Sequence, residues 1–156
     1  MMLNPVIKEI EKMELTCISH KGKAENSSAT YNTLTTWAAN HKILSNSSKM
    51  VTIYHNSPKN TAPENLEMSA CIVLNNTIKT DNMVKLKTIQ PTKCIVARAE
   101  ITPFQFKEAW ENLYAYYIKS SYKKSEIDPF EIYYNNAAEH PENKFIVDLC
   151  IPILDE

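Results

Sequence analysis

The chain repeats itself at a displacement of 79 residues, close to half of its 156. At that shift Ile53-Tyr54 falls on Ile132-Tyr133, Asn56 on Asn135, Cys71 on Cys150 and Ile72 on Ile151. Leu34 falls on Leu113, Trp37 on Tyr116 and Ile10 on Ile89, while Leu15 and Cys17 fall on Cys94 and Val96. Pro63-Glu64-Asn65 returns as Pro141-Glu142-Asn143, one residue out of register, as a single deletion in a turn produces. Ordered matches of this kind are the signature of one supersecondary unit used twice. The two copies are read as residues 1–77 and 80–156 of a single domain.

Each copy has the same expected order. A short strand (5–11, or 83–90) leads into a second (13–20, or 93–101), supported by alternation in Leu15-Thr16-Cys17-Ile18-Ser19. A helix follows. In the second copy it starts at Thr102-Pro103, a hydroxyl N-cap with proline at the first helical position. It runs to Ser120, with Phe106, Trp110, Leu113, Tyr114 and Tyr117 at helical spacing. In the first copy it covers Ser28–His41, with Tyr31, Leu34, Trp37 and Ala38 on the equivalent face. Two strands close each unit, Met50–His55 with Leu66–Leu74 and Phe130–Tyr134 with Lys144–Ile153. A β-β-α-β-β unit of half this length cannot bury both a helix and a sheet face alone. The expected class is therefore α+β, with two such units related by a pseudo-two-fold axis, antiparallel sheets and a central ligand groove where they meet.

Composition removes several kinds of mechanism. Gly22 is the single glycine, against roughly 7% usage in ordinary proteins. A glycine-rich phosphate loop, a dinucleotide fingerprint and a glycine-flanked nucleophile elbow are all excluded. Turns fall instead to proline and to stretches such as Asn46-Ser47-Ser48 and Asn75-Asn76. A net charge of −1 argues against a surface built to neutralise nucleic acid. No apolar run reaches the roughly 20 residues that span a bilayer, and Met1-Met2-Leu3-Asn4-Pro5 lacks the pattern of a secretory signal. A cytoplasmic protein without a membrane partner is expected. Cys17, Cys71, Cys94 and Cys150 form no close pair and sit in apolar strand-like runs, so buried free thiols are expected. They have no zinc-like spacing to His20, His41, His55 or His140. No metal or cofactor is expected.

Glu131 is the residue that stands out. It lies inside the apolar run Phe130-Glu131-Ile132-Tyr133-Tyr134, and its repeat counterpart is Thr52, so the scaffold itself does not demand a carboxylate there. A buried carboxylate is costly unless paired or hydrogen-bonded. Tyr133 shares its face by strand alternation, with Tyr54 as repeat mate. Trp110, Tyr114 and Tyr117 form one helical stripe, with Trp37 and Tyr31 on the other helix. Such a stripe serves as core or, at its exposed edge, as a wall that receives a flat cation. Arg98 is open to pairing with Glu131 or Asp148, and Asp148 is open to the groove or to an edge. Lys79, Lys85, Lys87 and Lys93 read as a solvated strand edge.

Three segments carry a family resemblance. Phe130-Glu131-Ile132-Tyr133-Tyr134-Asn135-Asn136 is similar to a Phe-Glu-Ile-Tyr-x-Asn-Asp segment, and Asp148-Leu149-Cys150-Ile151-Pro152-Ile153 to an Asp-Ile-Tyr-Val-Pro-Leu terminal strand. Ala109-Trp110-Glu111-Asn112-Leu113-Tyr114 looks like the second helix of the same family, with Tyr117 where many members carry tryptophan. Together these resemble the GyrI-like small-molecule-binding domain, the effector-binding domain of Rob- and BmrR-type bacterial transcription regulators, built from tandem SHS2-like modules. The chain departs from the family at Pro91-Thr92, where relatives use a glycine pair, and in lacking Gly-Pro-Tyr after either second strand.

The resemblance implies multidrug-type binding of amphipathic, often cationic, organic molecules, with Glu131 as counter-charge. Glu131, Tyr133, Tyr54, Trp110, Tyr114, Tyr117 and Trp37 are the expected ligand-binding residues. A stand-alone sensor or sequestering domain is expected, since no helix-turn-helix segment precedes the first strand. Two alternatives stay open. One is a hydrolase opening strained, cyclopropanoid rings, with Glu131 activating water at a raised pKa and Tyr133 or Tyr114 donating to the leaving atom. The other is a protein-interaction role towards gyrase or a regulator.

Overall fold

The computed structural model describes residues 3–23, 26–44, 48–57, 60–75 and 83–155. The expectations placed on Met1, Met2, Asn46, Ser47, Asn76 and Lys79 fall outside them. Eight strands and two α-helices are formed among these residues: β1 (Val6–Ile10), β2 (Met13–Lys21), α1 (Ser28–Asn40), β3 (Met50–Tyr54), β4 (Glu67–Val73), β5 (Lys85–Ile89), β6 (Thr92–Ile101), α2 (Phe106–Lys119), β7 (Phe130–Tyr133) and β8 (Phe145–Ile153). The strand pairings within each of the two units described below are antiparallel, and the class is α+β.

The chain divides into two compact units, one made of residues up to Glu11 with Pro91 onward, the other of Lys12–Gln90. In the first unit the strand order is β1-β6-β8-β7, with α2 packed on one face. In the second it is β5-β2-β4-β3, with α1 on one face. The opening strand of each sequence half thus pairs in the unit built by the other half: β1 runs along β6, and β5 along β2. Turn chemistry accounts for this. Only Glu11-Lys12 and Gln90-Pro91 separate β1 from β2 and β5 from β6, and neither pair takes the left-handed backbone of a two-residue hairpin. The chain therefore continues into a new partner instead of folding back.

Left-handed backbone occurs among the described residues at Gly22, Lys42 and Asn143. Gly22, just past β2, has φ +123 and donates its N–H to Leu66 O at 2.8 Å. Asn143, at φ 55, makes the turn before β8, a conformation that asparagine tolerates. The start of α2 is prepared by Pro103–Gln105, a single 3-10 turn in which Gln105 Oε1 accepts from Thr102 N–H at 2.8 Å.

Each unit has its own core. Under α2, Ala109 and Leu113 pack on Ile95, Ala97 and Ala99 of β6 and Val147, Leu149 and Ile151 of β8. Under α1, Leu34, Trp37 and Ala38 pack on Ala70 and Ile72 of β4 and on Val84. Alanines in the strands directly beneath a helix let it approach closely, while each fully buried leucine or isoleucine contributes roughly 1.5–3 kcal/mol. No helix among the described residues is long and apolar enough to cross a membrane.

Candidate functional site

Register sets which face each side chain occupies, because residues directly opposite on antiparallel strands point the same way. Glu131 of β7 lies opposite Leu149 of β8, and Leu149 belongs to the core beneath α2. Glu131 therefore points at the helix. Ile132 lies opposite Asp148, which in turn lies opposite Arg98. Asp148 and Arg98 are on the reverse face of the same sheet.

On the helix face Glu131 is wholly buried, at 0% exposure. Trp110 Nε1 donates to its Oε1 at 2.6 Å, and Tyr133 OH donates to Oε2 in a short hydrogen bond. Each oxygen of the carboxyl group thus accepts a hydrogen bond. Both donors are half-buried, so they stand between the charge and solvent.

Two groups of rings flank this carboxylate. Tyr133 lies 6.3 Å from Phe106 and 5.5 Å from Phe145, and those two phenylalanines are 5.5 Å apart, centroid to centroid. Trp110 lies 5.8 Å from Tyr114. All fall in the range of favourable aromatic contacts. Burial pushes the Tyr114 hydroxyl up to about 12, with Tyr117 and Asp128 adding. Lys124 Nζ sits 5.5 Å from the Tyr114 centroid, a cation already held on this stripe. Tyr117, further along α2, accepts the Lys124 backbone N–H at 3.2 Å and so pins the segment that carries that lysine.

The reverse face resolves the partner of Arg98. Its Nε donates to Asp148 Oδ1 at 2.5 Å and its Nη2 to Oδ2 at 3.1 Å. Tyr134 OH donates to Asp148 Oδ2 at 2.9 Å, and the guanidinium lies 4.3 Å over the Tyr134 ring. Arg98 is thus committed to Asp148 by a bidentate pair, away from the Glu131 face.

Tyr54 and Trp37 belong to the unit of α1. Trp37 is buried at 4% exposure and stacks on His41 with centroids 4.1 Å apart. Tyr54 is half-buried at the end of β3. In that unit Tyr31 OH donates to Val51 O at 3.0 Å and meets the Thr52 hydroxyl in a short contact. Tyr31 and Thr52 precede Trp110 and Glu131 by the same 79 residues, so the helix-to-strand contact recurs with neutral groups. Sequence reasoning did not single out Phe145 for the site. Its signal was alternation along β8, which puts it in phase with Val147 and Leu149. Among the described residues no cluster of three or more histidine, cysteine or acidic side chains is arranged to hold a metal ion.

Residues 3–154 match the family model of the GyrI-like small molecule binding domain. The chain belongs to this family. Among solved structures it is similar to the EcmrR C-terminal domain, at TM-score 0.80 and 14% identity, covering 100% of both chains. It also matches EcmrR in an EcmrR–DNA complex at TM-score 0.81 and 13% identity, covering 97% of this chain and 57% of that one. It thus spans little more than half of that protein. SAV2435 bound to tetraphenylphosphonium matches at TM-score 0.63 and 13% identity, covering 97% of this chain and 94% of the other. No curated protein matches it in sequence. At these identities the likeness concerns the fold.

Proposed function

We propose that this GyrI-like domain binds amphipathic, cationic organic molecules on the aromatic face around Glu131, as a sensor or sequestering protein. The observation that carries this reading is a fully buried carboxylate held by Trp110 and Tyr133, each of which belongs to a group of packed rings. A cation stacked on that face at roughly 6 Å gains about 3 kcal/mol from the charge at an effective dielectric of about 20. Ring contact adds about 0.5–2 kcal/mol. Direct contact with the carboxylate needs Trp110 or Tyr133 to swing aside, which ties affinity to ligands large enough to replace their packing. The tetraphenylphosphonium held by the structurally similar SAV2435 is a ligand of this chemistry. The reading needs no nucleophile, metal or cofactor. Tandem duplication belongs to the same proposal: β1 and β5, and likewise α1 and α2, recur at the 79-residue displacement, and the neutral first copy implies that charge recognition was added to one copy alone.

Titration with tetraphenylphosphonium, with neutral triphenylphosphine oxide in parallel, tests it. Glu131→Gln is expected to weaken the cation by about 1.5–3 kcal/mol and the neutral compound far less. Equal losses for both would make Glu131 structural. Consumption of a strained-ring electrophile by the wild type, lost in Glu131→Gln, would favour the hydrolase alternative.

A further inference from the structure

Cys17 of β2 and Cys71 of β4 are direct cross-strand partners in the unit of α1, and their Sγ atoms are 2.7 Å apart. Both are free thiols and both are buried. The other two cysteines are placed differently: Cys94 lies opposite Pro152, and Cys150 opposite Val96. Directly opposed antiparallel residues have Cα atoms about 4.5–5.5 Å apart, inside the roughly 4.4–6.8 Å that a disulfide requires. A bond between Cys17 and Cys71 therefore needs only side-chain rotation. Nothing in the ligand face uses this pair.

We propose that Cys17 and Cys71 are a redox-modification site, at which hydrogen peroxide converts the dithiol into a disulfide joining the two central strands of that unit's sheet. The steps balance without another reactant. One sulfur attacks the peroxide, breaking the O–O bond and forming a sulfenic acid while water leaves. The second sulfur then displaces the sulfenic hydroxyl, which departs as water with the thiol proton, and the S–S bond forms. Two thiols and one peroxide give one disulfide and two waters, with two electrons passing from sulfur to oxygen. Cys17, at 5% exposure against 0% for Cys71, is the sulfur that first meets the oxidant. Burial and the hydrogen bond with Cys17 push the Cys71 thiol far up, so little of it is thiolate and its attack on the sulfenic sulfur is the slow step. The reaction is correspondingly slow at neutral pH.

Native protein exposed to hydrogen peroxide, then denatured, alkylated and peptide-mapped, tests the assignment. The expected product is a linked Cys17–Cys71 peptide pair with Cys94 and Cys150 alkylated, a raised thermal midpoint, and reversal of both by dithiothreitol. Four alkylated cysteines after peroxide, a link that involves Cys94 or Cys150, or sulfinic acid at Cys17 without a link would each overturn it. The mapping uses wild-type protein, so the outcome does not depend on a cysteine variant folding.

Discussion

Trp110 on α2 donates its indole N–H to Oε1 of Glu131 on β7 at 2.6 Å. This bond ties the helix to a strand that pairs with β8 through four residues, and it does so with the group to which we assign the binding charge. On that proposal, structure and recognition are coupled at one point. Glu131 is held in place by the rings that cover it.

That coupling predicts how the two donors divide their roles. Trp110→Phe keeps a ring but removes the N–H, so a buried charge loses one of its two named bonds. A cost of about 1.5–3 kcal/mol in unfolding free energy is expected, in the range of hydrogen bonds to charged groups. Tyr133→Phe should cost a similar amount. In a double-mutant cycle the pair should be non-additive, because both donors serve one carboxylate. Urea unfolding of the four proteins checks this, and strictly additive losses would mean that the bonds act independently.

Lys124 predicts a gain. Its ammonium occupies the Tyr114 ring at 5.5 Å, where an incoming cation would stack. Lys124→Gln removes that competitor and a repelling charge. Since exposed cation–π contacts are worth about 0.5–1 kcal/mol, tetraphenylphosphonium affinity should rise about two- to fivefold. Isothermal titration measures it, and unchanged or weaker affinity would place the ligand away from the Tyr114 end of the stripe.

The elements were legible because alternation, helical spacing and the Thr102-Pro103 start signal are local properties. So was the oddity of Glu131 in an apolar strand. Its partner was not legible. Whether Glu131 meets Arg98 or Trp110 depends on strand register, and a slip of one residue reverses every face. Arg98 and Asp148 turned out to oppose each other on the far side of the sheet. For the same reason Phe145 escaped notice, as did the opposition of Cys17 and Cys71 across 54 residues. The crossing of β1 and β5 into the other unit rests on a missing turn signal, which is visible in Glu11-Lys12 and Gln90-Pro91 only once hairpins are asked for.

Alkaline pH should weaken the fold. Burial pushes Tyr134 up to about 12, helped by its bond to Asp148, and burial pushes Tyr114 up to about 12 as well. An unfolded tyrosine ionises near about 10. Between those values the unfolded chain releases protons that the folded chain retains, so stability falls as pH rises. The contribution is complete below about pH 10 and gone above about pH 12. Urea midpoints across this window should decline, and Tyr134→Phe should flatten the decline. Phenolate absorbance of the folded protein that is complete by about pH 10.5 would contradict the prediction.

The Arg98–Asp148 pair predicts a loss of stability without a loss of recognition. Asp148 is 2% exposed, while the Arg98 side chain is 56% exposed, so the pair is a buried carboxylate capped by a guanidinium at the surface. Arg98→Met retains the aliphatic stem and strips both bidentate bonds, leaving Tyr134 as the remaining named donor. An unfolding cost of about 1.5–3 kcal/mol is expected from losing bonds to a charged group. Asp148→Asn should cost less, because it leaves no buried charge short of partners and the amide oxygen still accepts from Arg98, even though the amide NH2 then faces a donor. Neither change touches the helix face, where Glu131 lies opposite Leu149. Tetraphenylphosphonium affinity, measured well below each variant's thermal midpoint, should therefore stay within about twofold of wild type, the scatter expected for independent sites. A loss comparable to that of Glu131→Gln would show that the ligand reads charge through the sheet from its reverse face.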